Sequence, residues 1–196
     1  IMNLTGITEH DQVFLKHFYD SLTIAKIIDL KEEKSLCDIG TGAGFPGLVL
    51  KICFPNLKVV LLDSLNKRIN FLSDVINELG LKNIEVIHTR AEEYALKNRN
   101  KFDITTARAV AHLSILLEYA IPMTKEGKYF IAMKANVKDE INEIDNALKV
   151  LDTKIVEINE FNLPIENSNR TIIKFKKIKN VGKYPRKYSD IKKKRL

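Results

Sequence analysis

The sequence predicts an α/β fold with a doubly wound, mostly parallel sheet, and three observations carry that prediction. Short apolar runs alternate along the chain with segments of helical periodicity. A glycine-rich turn, DIGTGAGFPG at 38–47, joins the first run to the segment after it. An acid, Asp63, ends the second run. Parallel strands require crossover helices, and open sheets built this way take their ligands at the carboxyl ends of the strands.

The elements follow in order. From Thr8 to about Leu30 the residues Val13, Phe14, Phe18, Leu22, Ala25 and Ile28 recur at helical spacing, with Thr8 as cap, predicting an amphipathic helix packed on the core. Strands are expected at 36–39, 58–63, 84–88, 102–106 and 128–134, with helices at 46–54, 65–79 (stopped by Gly80) and 112–121 (stopped by Pro122). A helix at 137–150 and a closing strand pair at 154–160 and 171–177 complete the series. At 196 residues there is room for one substantial core. One domain is expected over 1–178, with 1–34 as its N-terminal helical part and 35–178 as its core, followed by a basic tail at 179–196.

No apolar stretch reaches the roughly 18 to 20 residues of a membrane-spanning helix, and no secretory leader opens the chain, so a soluble, cytoplasmic protein is expected. Cys37 and Cys53 are too few for a disulfide scaffold or a zinc site and are expected to be buried free thiols. The net charge of +7 is unevenly placed. Residues 174–196 hold eleven Lys or Arg against the single acid Asp190, so the preceding chain is net negative. Such a tail either contacts phosphates, with Tyr184 and Tyr188 available for stacking, or serves as a solvated terminus.

The turn itself suits two cofactor classes. Residues 42–47 satisfy GxGxxG, and Asp63 follows at the distance of a dinucleotide fingerprint. The better registration takes Gly40, Gly42 and Gly44 as an alternating set with Asp38 two residues ahead, as in S-adenosylmethionine (SAM) enzymes. An acid at that point favours a cationic methionine end and repels a pyrophosphate. Pro46 fits the first turn of the following helix.

Several strings coincide with one family: Asn3-Leu4-Thr5, His17 with Asp20-Ser21, DIGTGAGFPG, LLDSLNKR at 61–68, RAEEY at 90–94 and ARAVAHL at 107–113. In that order, over nearly the whole chain, they resemble the bacterial 16S ribosomal RNA guanine-N7 methyltransferases, the glucose-inhibited division protein B family. The resemblance implies a Rossmann-like SAM-dependent methyltransferase acting on N7 of a guanine in 16S rRNA or the small ribosomal subunit, as a monomer, without metal or membrane. It implies SAM contacts from Gly40, Gly42, Gly44, Phe45, Asp63 (the ribose acid), Ala91 and Glu92 (flanking adenine), and Arg108 at the boundary of cofactor and substrate. His17, Asp20 and Ser21 fall at i, i+3 and i+4, on a helix face that borders the pocket in the family. Family members carry additional helical sequence before the Asn-Leu-Thr string, so native sequence is expected ahead of Ile1. Where they have Lys-Gly after the fifth strand, this chain has Lys134-Ala135.

The chemistry is narrowed by elimination. Methylation of exocyclic amines commonly uses Asn or Asp followed by Pro-Pro and an aromatic after the fourth strand, where this chain reads Thr105-Thr106-Ala107-Arg108-Ala109. Pyrimidine C5 methylation needs a Cys nucleophile, and Cys37 and Cys53 lie within a strand and a helix. Guanine N7 has an in-plane lone pair and no proton, so no general base is needed and no catalytic acid–base residue is assigned. Arg108 and His17 remain candidates for positioning substrate. Arg108 donates either to guanine O6 or to the SAM carboxylate, or else pairs with a surface carboxylate; His17 contacts RNA or simply packs near Asp20. Lys67 and Arg68 serve an RNA phosphate or a solvated helix face. Phe45 contacts SAM or core, Glu92 and Glu93 charge the first turn of a short helix, and Asp38 alternatively accepts loop N–H groups. The competing readings are an NAD(P)-dependent oxidoreductase and a non-catalytic RNA-binding protein with a vestigial pocket.

Overall fold

A computed structural model describes residues 10–32 and 34–196, with His10 by its backbone. The expected cap Thr8 and the Asn3-Leu4-Thr5 string lie outside the described residues.

Seven strands form one sheet in the order β3-β2-β1-β4-β5-β7-β6. They are β1 (Ser35–Ile39), β2 (Lys58–Asp63), β3 (Ile84–His88), β4 (Phe102–Arg108), β5 (Thr124–Lys134), β6 (Thr153–Asn162) and β7 (Asn169–Lys177). β1 to β5 run parallel, and β7 inserts antiparallel between β5 and β6. The helices are α1 (residues 10–26), α2 (Gly47–Cys53), α3 (Asn66–Glu78), α4 (Ala91–Lys97), α5 (Leu113–Met123), α6 (Lys138–Asn142), α7 (Asp145–Val150) and α8 (Tyr188–Lys193).

Alternation along the central strands divides the core between the two faces. On β2, Val59 and Leu61 join the cluster of Leu48, Leu50, Leu72, Ile76 and the α1 residue Ile24, whereas Val60 and Leu62 join that of Ala95, Leu113, Leu116, Leu117 and Ala147. Each face therefore carries its own layer of helices, which is the doubly wound arrangement the sequence predicts.

Three elements depart from expectation. The helix at α1 widens into a π-helical stretch at Phe14–Tyr19 and tightens to 3₁₀ at Thr23–Lys26, ending before Leu30. Because the turn is no longer 3.6 residues, the expected stripe is not the buried one. Phe14 is 54 % exposed, while Leu15, Asp20, Ser21, Ile24 and Ile27 are buried. The helix expected at 137–150 breaks at Glu143-Ile144 into α6 and α7, and Pro122 sits inside the last turn of α5 rather than beyond it.

The basic tail does not extend freely into solvent. Tyr184 is 7 % and Ile191 1 % exposed, and the backbone N–H, Nε and Nη2 of Arg186 donate to the fully buried Glu118 on α5 at 2.8, 2.8 and 2.7 Å. Those hydrogen bonds raise the Arg186 guanidinium above its ordinary pKa. Nothing in the hydrophobic periodicity of 179–196 signals α8, since its anchor is this ion pair. Cys37 is buried as expected; Cys53 is exposed, because it ends α2 on the helix's outer side.

Candidate functional site

Successive parallel strands are added on one side of β1 and then on the other, so a crevice opens at the carboxyl ends of β1 and β4. A groove of two lobes lies there. The larger, of about 700 Å³, is bordered by Gly40–Ala43, Phe45, Asp63, Arg108 and Arg170, among others. The smaller, of about 300 Å³, is bordered by Thr89–Glu92, Tyr119 and Tyr188. Gly40, Asp63, Ser64 and Val110 border both, so the lobes meet over the tip of β1.

The glycine turn is braced from beneath by Asp38, whose Oδ2 accepts from the Thr41 hydroxyl at 2.7 Å and the Gly47 N–H at 2.8 Å. Complete burial pushes this carboxyl up to about 6, against the lowering effect of the two hydrogen bonds. Asp38 thus acts on the turn rather than bordering the groove, and its Oδ1 has no hydrogen-bond partner. Gly40 and Gly42 have φ of +67° and +62°, a region costly for other residues. A Cβ at Gly42 would project into open space at the groove wall, whereas one at Gly40 would come within 2.9 Å of Val110. Gly44 does not border the groove; it is covered by Leu48 and makes room for α2.

Asp63 ends β2 with its side chain almost fully buried. Its Oδ2 accepts from Gly42 N at 2.9 Å and Arg68 Nη1 at 3.2 Å, and its Oδ1 accepts from Leu65 N at 2.9 Å. Arg68 therefore closes on the groove acid, while Lys67 remains on the exposed helix face. In the smaller lobe, Ala91 and Glu92 open α4. Glu92 is 5 % exposed, and its Oε1 is buried with no hydrogen-bond partner.

The larger lobe is cationic. Arg108, at the end of β4, donates from Nη1 to Asp20 Oδ2 at 3.1 Å and to the Lys16 carbonyl at 3.0 Å, and its Nη2 lies 3.2 Å from His17 Nδ1. Arg170 Nε donates to the other Asp20 oxygen at 3.2 Å, so one buried carboxylate holds two guanidiniums at the rim. The partner of Arg108 is thus neither a surface carboxylate nor an exposed one. His17 stacks on Phe45 with centroids 4.7 Å apart, and burial followed by the Arg108 charge lowers its pKa. A neutral His17 accepts from Arg108 at Nδ1 and carries its proton on Nε2. Ser21 does not border the groove; its hydroxyl is buried against the His17 carbonyl. Lys134 Nζ ties the carbonyl of Ala111 at 2.6 Å to both Glu140 oxygens at 2.9 Å, fixing the loop after β4.

Sequence reasoning missed Arg170 and Tyr119; it noted Lys134 only in the Lys134-Ala135 turn, and Tyr188 only as a stacking residue of the tail. Arg170 had a detectable signal: an antiparallel last strand begins where its parallel neighbours end, and the pair Lys134↔Thr171 places 170 at the groove.

The fold is that of the SAM-dependent methyltransferases. A SAM-dependent methyltransferase from Aquifex aeolicus superposes with a TM-score of 0.63 at 21 % identity, covering 85 % of this chain and 93 % of that one. TYW2 from M. jannaschii, solved in complex with AdoMet, gives 0.64 at 15 % identity, covering 82 % and 75 %. Within that class the family is defined by sequence: the model of the family GidB, rRNA small subunit methyltransferase G, matches residues 1–172, and the chain belongs to this family. Relatives named ribosomal RNA small subunit methyltransferase G include those of Acetivibrio thermocellus, 51 % identical over 95 % of this chain and 78 % of theirs, and of a Thermoanaerobacter strain, 50 % identical over 97 % and 81 %. The oxidoreductase reading of the turn is excluded by this membership. Among the described residues no helix is long and apolar enough to cross a membrane, and no cluster of His, Cys, Asp and Glu is arranged to hold a metal.

Proposed function

We propose that this chain methylates N7 of a guanine in 16S rRNA with SAM as methyl donor, as a monomer in the cytoplasm. The observation that carries the reading is the two-lobed groove, which offers an acid at a nucleoside's ribose and a paired-arginine rim beside it. The residues present fit the cofactor. Glu92 Oε1 is a buried acceptor in the smaller lobe with no hydrogen-bond partner, Arg90 Nη1 standing 3.9 Å away, and it suits an adenine amino group. Gly40 and Gly42 let backbone approach a ligand, and Asp63 suits a ribose diol. In this reading Ala91 flanks the base, and Phe45 and Arg108 border the methionine end.

Bound SAM supplies a methyl group on a sulfonium, open to in-line attack by a nitrogen lone pair. The protein's part is to orient the guanine and to shield the reacting atoms from water. Guanine N7 carries no proton, which accords with a rim whose groups are already committed: Asp20 to two arginines and His17 to Arg108. Arg108 and Arg170 attract the RNA, and Asp20 fixes their spacing, so they place the base rather than move a proton. Methyl-labelled SAM incubated with undermethylated 16S rRNA or small subunits tests the assignment. Label at a guanine N7 is expected; no incorporation by protein that binds SAM would reject it.

A further inference from the structure

The smaller lobe has a wall that belongs to none of the strand-end loops. Tyr188, the first residue of α8, borders it, and the guanidinium of Arg90, the residue before α4, lies 4.5 Å from the centre of its ring. Tyr188 as a residue remains 43 % exposed, although the segment carrying it is anchored on both sides. Arg186 is clamped to buried Glu118 two residues before it, and Ile191 is buried three residues after it. Tyr119, one residue beyond Glu118 on α5, borders the same lobe. The anchors therefore hold an aromatic ring at the mouth of a cavity whose interior has a buried carboxylate oxygen, Glu92 Oε1, with Arg90 Nη1 at 3.9 Å and no hydrogen-bond partner. A planar, partly apolar group with an amino donor satisfies both the ring and the carboxylate.

We propose that Tyr188 is a cofactor-binding residue: the segment 184–193 closes the adenine side of the groove, so the basic tail is part of the SAM site and not only an RNA-facing extension. This rests on the reading of the groove as the SAM site. A base resting against an aromatic ring loses about 1–3 kcal/mol when the ring is removed, or about five- to 150-fold in affinity; with one of several walls removed, about tenfold is expected.

Calorimetric titration of the full chain with S-adenosylhomocysteine and with methylthioadenosine, which lacks the amino-acid end, tests the proposal. Tyr188→Ala is expected to weaken both ligands by a similar factor of about ten, and Tyr188→Phe to stay within about twofold of the parent. Unliganded melting of each variant separates loss of the wall from loss of the fold, because the phenylalanine variant keeps the wall at any stability. Parent-like affinity of Tyr188→Ala for both ligands overturns the proposal, as does weakening confined to RNA binding. No binding by the parent chain overturns the SAM reading itself, which distinguishes the two failures.

Discussion

Replacing Arg186 by alanine removes two of the three donors to Glu118, at 2.8 and 2.7 Å, and leaves the backbone N–H at 2.8 Å. Glu118 is fully buried, and its partner's side chain is 26 % exposed. A buried carboxylate that loses its cation costs about 3–5 kcal/mol. The surviving backbone bond places this case near the lower end, at about 3 kcal/mol. In a domain of this size each kcal/mol moves the midpoint by about 2–4 °C, so a fall of about 6–12 °C is expected. Urea unfolding and thermal melts of the parent, Arg186→Ala, Glu118→Gln and the double variant close a cycle, in which Arg186→Ala should cost much less once Glu118 is neutral. A cost below about 1 kcal/mol in the parent background, the value of an exposed pair, would refute the claim that this clamp anchors the tail.

Gly47→Ala places a Cβ 2.5 Å from Leu61 and 2.8 Å from Asp38 and should destabilise by several kcal/mol, whereas Gly42→Ala meets no atom within 4 Å and should cost only the strain of its φ, about 1 kcal/mol; equal melting points would contradict this. Asp63→Asn should weaken S-adenosylhomocysteine at least about tenfold in calorimetry with the melting point lowered by only a few degrees, and unchanged affinity would remove Asp63 from the ribose role. Burial raises Asp38 from 3.8 to about 6, so its contribution to stability is fully present below about pH 4 and is lost as pH rises through about 6. Asp38→Asn, which still accepts from Thr41 and Gly47, should flatten the stability profile over that window; parallel parent and variant curves between pH 4 and 7 would count against a strained carboxyl there.

The parallel order and the groove were legible because they depend on local signals. Apolar runs marked β1 to β5, and the glycine turn with Asp63 marked where a ligand sits. Arg108 came from the resemblance of the ARAVAHL string, and it is the last residue of β4, at the groove. The missing parts rest on long-range pairing. Nothing near Arg186 in sequence announces Glu118, and without that clamp α8 reads as a solvated run of lysines. The π-helical widening at Phe14–Tyr19 likewise shifts the buried face of α1 by backbone geometry that a 3.6-residue template does not contain.

Asp20, Arg108 and Arg170 meet at one rim although the outer two are 150 residues apart. A chain emerging from its own ribosome has made most of its sheet before β7 appears, and the rim is then still half built. The rim proposed to meet RNA is therefore completed only when the polypeptide is nearly finished, after six of the seven strands have been made.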